Sequence, residues 1–482
     1  VSLDISEPEI GTYRFPGFDW EDHPEQFADV ASPVSYEIQI ATDEQFTSLV
    51  DRDTVLLSRY VHDEPFNTGT YFWRTRSITY DGEVSEWQDT LSFTIEAPEE
   101  IITVPLPGGE EDCTASVHAS VAAAEASAAN GNSVKLVFPA GDYYFGEGLA
   151  GPAISFTGVR NIEIEGTGAT FHFSKRNQGL IDAGSCENIS ISGINVTYAK
   201  GLFRVQGHVV SVDQNNKQVL VSIEDGSPGF EESSSPYFDI FILLDPDING
   251  RLKDNSSHFY RMSSYQKNAD DTYTIQITDG GDFSDWEAGD RFVFHFRSGS
   301  TSHVNFPECT SVTAHNITTD GWGSMGFVSV KGSSFNILNC KTVLQEGKWM
   351  MGNADGFHVR EHVVGPWIEG TEIQATGDDG LAFYARPIAM TAVHPGGDPR
   401  SVVCTSEFFN LEPGDEVSFY QPTEGRILLE TAVTRVVDQG GSYLATFADT
   451  IPGGIILGNP LVDVTQIWNR SKSCGEFMIR NS

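Results

Sequence analysis

The stretch NISISGINVTY, Asn188 to Tyr198, alternates apolar with small polar residues around a central glycine, and five other segments share its grammar. They are NIEIEGTG from Asn161, SVTAHNITT from Ser311, FNILNCKTV from Phe335, WIEGTEI from Trp367 and EFMIRNS from Glu476. Anchored on Gly166, Gly193, Asn316, Asn339, Gly370 and Asn481, they step by 27, 123, 23, 31 and 111 residues. Short alternating strands recurring at 23 to 31 residues predict one coil each of a β-solenoid. The two long steps must each hold an insertion.

At 482 residues the chain exceeds one ordinary core, so two or more domains are expected. Its 68 acidic and 29 basic residues leave a net charge of −39, a field that repels phosphates and excludes nucleic acid as partner. Apolar runs such as IFILL from Ile240 are strand-length, and no amphipathic face carries a basic cluster, so no membrane partner is expected. Salt screens such self-repulsion, which suits a marine source, and an anionic substrate would need Lys and Arg supplied locally. Six cysteines (Cys113, Cys186, Cys309, Cys340, Cys404, Cys474) form no CxxC, so metal and redox readings are weak and buried thiols compete with disulfides. The start, VSLDISEPEI, reads as a mature or trimmed terminus, and a secreted or periplasmic location is expected.

Residues 1–98 contain SYEIQI and YFWRTRS, alternating as half-buried strands do, and resemble a fibronectin type III-like β-sandwich. Residues 99–202 hold an Ala-rich helix from Asp112, then VFPAGDYYF and the first coils. That helix and strand resemble the N-terminal cap of pectin-lyase-like right-handed parallel β-helices. Residues 203–300 and 391–463 are short alternating strands joined by turn residues, and both carry an E-x-G-D-x-x-x-F hairpin. They read as β-barrel-like insertions that pack together. Residues 301–390 are the coils between them, and 464–482 a further coil. No cap follows Ser482, so a longer encoded chain, a homo-oligomer or a second chain is expected to cover that end. The fold class is all-β.

NADGFHV (Asn353–Val359) and GDDGLAFY (Gly377–Tyr384) align when Gly356 is matched to Gly380, which pairs Asp355 with Asp379, 24 residues on. One coil earlier, MGFVSV puts Met325 at the same place. Neighbouring coils lie about 4.8 Å apart, which brings Asp355 and Asp379 together, with Asp378 reaching the groove from another angle. Three close carboxylates suit glycoside hydrolysis, one as acid and others as base. An inverting reaction needs a gap of ~6.5–9.5 Å, expected from a diagonal placement across two coils. Turn capping by Asp-Gly is the bland alternative. Calcium is another, with DPDING (Asp245–Gly250) as half of a loop whose twelfth position is Ser256, not glutamate.

An aspartate followed 23 and 24 residues later by an aspartate pair resembles the polygalacturonase-like hydrolases. That resemblance implies Asp378 as acid and Asp355 with Asp379 as base. The Gly-His-Gly and Arg-Ile-Lys of polygalacturonases proper are missing, which counts against pectin. NADGFHV, GDDG, two barrel insertions and the terminal C-x-x-F-x-I-R-N coil are more similar to glycoside hydrolase family 110. This implies an inverting exo-α-1,3-galactosidase on a galactan or galacto-oligosaccharide, needing no cofactor or metal. Trp322 is a candidate for stacking on a sugar face. Arg297, His303, Lys348, His358 and Arg386 are candidates for holding hydroxyls, sulfate or carboxylate, each weighed against a structural role. A polysaccharide lyase, a polygalacturonase-like endo-hydrolase and a non-catalytic carbohydrate-binding solenoid remain the rivals.

Overall fold

The computed structural model describes residues 9–20, 35–233, 239–248, 250–297, 299–458 and 463–482. The chain winds into a parallel β-helix with three faces. The first face stacks Glu100–Thr103, Val134–Val137, Arg160–Glu165, Glu187–Ser192, Thr310–His315, Ser333–Leu338, Trp367–Glu369 and Met478–Arg480. The second runs from Gly141–Phe145 to Lys341–Thr342, and the third from Gly151–Thr157 to Leu381–Tyr384. The helix Thr114–Ala129 covers the N-terminal end, sinking Val117, Val121, Ala124 and Ala128 into the core.

Coil spacing follows from two repeated devices. Inward residues stack on themselves: Ile164, Ile191, Ala314, Ile337 and Ile368 are successive partners in one ladder, each at most 1% exposed. Sharp corners are made by residues in the left-handed region. Gly193, Asn316, Asn339, Gly370 and Asn481, five of the six sequence anchors, have φ of 75°, 50°, 54°, 61° and 53°. Glycine and asparagine are the residues that enter this region at low cost, which is why they mark the repeat. The ladder rests on buried Cβ-branched and aromatic side chains; the six cysteines are free, buried thiols.

Both insertions are six-stranded antiparallel sheets that close on themselves. In the first, Ile240–Leu244, Arg291–His295, Arg204–Asp213, Gln218–Ile223, Tyr273–Asp279 and Arg261–Lys267 pair in that order, and a Phe241–Tyr260 bridge joins the ends. IFILL is apolar throughout because both its sides are covered. Phe241 and Leu243 fill the barrel, while Ile240, Ile242 and Leu244 pack with Met350 of a solenoid corner. In the second, an Ile388–Ile467 bridge closes the ring. The barrels were expected to pack together, but they leave different corners. The first sits between second and third faces; the second follows the third-face strand Leu381–Tyr384. The DPDING segment is a turn in which the Asp245 carboxylate accepts the amides of Asp247 and Ile248; Asn249 lies outside the described residues.

The N-terminal unit has one sheet of five strands and a two-stranded partner, and it packs on the solenoid's first face. Its core is shared with Leu338 and Trp367. Tyr13 Oη and Thr313 Oγ1 are 2.6 Å apart, and Arg59 Nη1 donates to the Gly365 carbonyl at 3.0 Å. It is seated on the solenoid. The described residues include no helix long and apolar enough to cross a membrane.

Ile191→Ala empties a position walled on both sides by the same ladder. It is expected to cost about 2–5 kcal/mol, measured as a drop in unfolding free energy by urea titration.

Candidate active site

Phe327, Phe357 and Leu381 are register partners on the third face, so Met325, Asp355 and Asp379 occupy equivalent places two residues before them. The glycine between has a packing reason. A Cβ on Gly326 would lie 2.5 Å from the Gly356 carbonyl oxygen, and one on Gly356 would lie 2.8 Å from that of Gly380. The aspartates have no such structural reason. None of the three has a left-handed φ, and among the described residues no backbone amide donates to their carboxylates. They do not cap turns. One oxygen from each of Asp355, Asp378 and Asp379 lies within 4.8 Å of the others.

Each carboxylate is held differently. Asp355 is buried and its Oδ2 is 2.6 Å from His358 Nδ1, while His358 Nε2 is 3.3 Å from Tyr384 Oη. This relay fixes the Asp355 carboxylate from the third face. Asp378 is held from the first barrel: Arg297 Nη2 donates to its Oδ2 at 2.8 Å, and His258 Nε2 is 3.3 Å from Oδ1. Arg297 also donates to the carbonyls of Asn353 and Gly377, both at 2.9 Å. Asn353 is pinned in turn, donating to the Phe296 and Gly323 carbonyls at 2.8 and 2.7 Å. Asp379 is exposed. A cavity of about 180 Å³ opens beside Asp378, lined by His258, Met350, Ile242, Leu252 and Thr376.

The predicted binding residues divide. His358 and Arg297 touch the aspartates. Trp322 does not stack on ligand: it is 0% exposed, and a Cβ on Gly352 would lie 1.9 Å from its indole. It fills the corner beneath the site. His303 is likewise 0% exposed, with Nδ1 3.3 Å from Tyr198 Oη. Lys348 is buried in the seam between barrel and solenoid, and burial, then Arg204 and Lys200, push its ammonium pKa down. Arg386 lies over the Phe408 ring at 4.1 Å, at the root of the second barrel.

Sequence reading missed His258 and Tyr384. His258 lies on a barrel loop 120 residues before Asp378, with no local signal. Tyr384 had one: it pairs with Arg360, which lies two residues beyond His358 and so on the same outward side of the strand.

The spacing of the three oxygens also suits a hard cation bound by Asp355, Asp378 and Asp379. Arg297 already gives Asp378 a cationic partner and His258 Nε2 lies 3.3 Å from its other oxygen, which weakens that fit.

No family model matches the chain, and no curated protein matches it. Among solved structures, a family 28 exopolygalacturonase from Yersinia enterocolitica is similar at TM-score 0.39 and 12% identity, over 80% of this chain and 64% of that one. The chain thus spans less than two thirds of that enzyme's length. A pectate lyase from Pectobacterium carotovorum is similar at TM-score 0.15 and 8% identity, over 73% of this chain and 85% of that one. Both likenesses are too distant to bear on function.

Two outcomes follow from this geometry. Arg297→Ala removes the donor that ties Asp378 to the barrel, and is expected to lower the unfolding free energy by about 1.5–3 kcal/mol in denaturant titration. Burial pushes the pKa of His303 down to about 3 and those of His315 and His362 down to about 4. An unfolded histidine titrates near 6.5, so below that pH only the unfolded state takes up these protons. Stability is therefore full above about pH 6.5 and declines toward pH 4. Urea midpoints at pH 7.5 and pH 5 check this, with a shallower decline expected for His303→Gln.

Proposed function

We propose that the chain is a glycoside hydrolase whose chemistry is done by Asp355, Asp378 and Asp379. The observation that carries this reading is the set of three carboxylates with oxygens within 4.8 Å, placed by register and free of turn-capping duties among the described residues. Asp378 acts as the acid that protonates the leaving oxygen. A carboxyl that gives up its proton ends as a carboxylate, and Arg297 and His258 stand ready to stabilise that charge as it develops. Asp355, oriented by His358 and Tyr384, shares with Asp379 the task of holding and deprotonating the attacking water.

The finer reading is an inverting exo-acting enzyme on terminal α-1,3-linked galactose of a galactan or galacto-oligosaccharide. It is supported by the resemblance of NADGFHV, GDDG and the two insertions to glycoside hydrolase family 110. The small cavity beside Asp378, well below the size of an ordinary ligand cleft, suits one terminal ring better than a threaded chain. The N-terminal sandwich is proposed as a fibronectin type III-like accessory unit, and a secreted or periplasmic location goes with the substrate.

A second reading is a polysaccharide lyase, for which the spacing of the three carboxylate oxygens would serve a cation once Asp378 is released from Arg297.

Asp378→Asn and Asp355→Asn are each expected to lower kcat on an aryl α-galactoside by about 10²–10⁴-fold with unchanged urea midpoints. Turnover within a few-fold of the parent in either variant would overturn the assignment. Proton NMR of the first-formed anomer tests inversion. EDTA is expected to leave the rate unchanged; loss of activity together with ultraviolet absorbance from an unsaturated product would select the lyase.

A further inference from the structure

A cleft of about 790 Å³ lies between the solenoid corner Ser174–Asn177 and the barrel's base, and among the described residues it shares no lining residue with the cavity beside Asp378. Its size falls in the range of small-molecule sites, with room for a short oligosaccharide and not only a single ion. Its lining includes Lys175, Arg176 and Lys200 against one acidic residue, Glu232. In a chain with 29 basic and 68 acidic residues, such a balance is the reverse of the overall composition.

The cations are available. Among the described residues Lys175 pairs only with Glu147, which is 92% exposed, and so wet a pair holds little energy. Arg176 is positioned: Nη2 donates to the Glu232 carbonyl at 2.6 Å and the guanidinium lies 4.9 Å from the Phe296 ring. That leaves further N–H donors in a fixed fork. Lys200 is exposed and has no hydrogen-bond or ion-pair partner among the described residues. Behind it stand Lys348 and Arg204, both buried, whose positive charges add to the field. At Ser174 the cleft adjoins a second cavity of about 410 Å³. There Tyr144 and His172, neighbours in one column of the second face, stack on each other with ring centres 4.3 Å apart, beside Glu110 and Asp112.

We propose that this cleft is a second carbohydrate-binding site, distinct from the aspartate cluster, that takes an anionic oligosaccharide through Lys175, Arg176 and Lys200. The saccharide half of this assignment rests on the carbohydrate-active reading above; the preference for anions rests on the cleft's own side chains. Sulfate esters and uronic carboxylates are the two sources of that charge. The site holds a charged polymer on the enzyme while the terminal ring is processed elsewhere.

The test is calorimetric titration of the full chain carrying Asp355→Asn, so that nothing is turned over, with and without Lys200→Glu and, separately, Arg176→Gln. The probes are a sulfated galacto-oligosaccharide, an oligogalacturonate and a neutral galacto-oligosaccharide of equal length. At least one anionic probe is expected to bind, and to weaken tenfold or more with each substitution while the neutral probe is unaffected; whichever anionic probe binds more tightly identifies the source. Anionic affinity unchanged by both substitutions, or a neutral probe bound as tightly as the anionic ones, overturns the proposal. Urea midpoints of both variants exclude misfolding. With Asp355 intact, Lys200→Glu is expected to leave aryl α-galactoside hydrolysis at the parent rate, so failure of the cleft and failure of the hydrolase reading are seen separately.

Discussion

Everything in this molecule depends on coils that stack in register, one strand spacing of about 4.8 Å at a time. That constraint repeats every position as a column. The isoleucine ladder is one such column, the left-handed Gly and Asn corners another, and the glycines that let Gly356 and Gly380 carbonyls approach a third. A column of aspartates is costly in the same arrangement, since like charges are brought close with no capping bonds to hold them. Asp355 and Asp379 accept that cost on two adjacent coils, whereas the coil before places Met325 there. The cluster is thereby confined to one level of the stack.

The barrel resolves part of the charge problem. It departs from a corner two coils earlier and folds back, its Ile240, Ile242 and Leu244 side burying Met350. Apolar contact thus brings the strand end at His295 over the corner that carries the aspartates, where Arg297 reaches Asp378 and two carbonyls. His258 arrives from another loop of the same barrel. A solenoid alone would present bare acids; with the barrel in place, Asp378 and Asp355 are held by partners from different elements.

Charge is distributed to match. The surface is overwhelmingly acidic, yet cations concentrate along one line of corners: Lys175, Arg176 and Lys200 at the barrel's base, Arg204 and Lys348 in its seam, Arg297 at the aspartates. In a field of this sign an anionic polymer is repelled over most of the surface, and these cations offer it one place to settle where the barrel meets the solenoid.

The repeat, the parallel β-helix, the presence of two β insertions and the register of Asp355 with Asp379 were legible in the amino-acid sequence, because each depends on periodic local constraints. Alternation puts side chains in or out, and left-handed corners demand glycine or asparagine. His358 was legible too, being only three residues beyond its aspartate. What the sequence could not show is which way an insertion folds. His258 and Arg297 reach Asp378 only because the barrel lies back on its own solenoid, and that contact is apolar and long-range. The same blindness made Trp322 and His303 look like groove residues: both sit at the right corners, but close packing against Gly352 and Tyr198 turns them inward. Local pattern determined where the carboxylates stand; tertiary packing alone decided what stands against them.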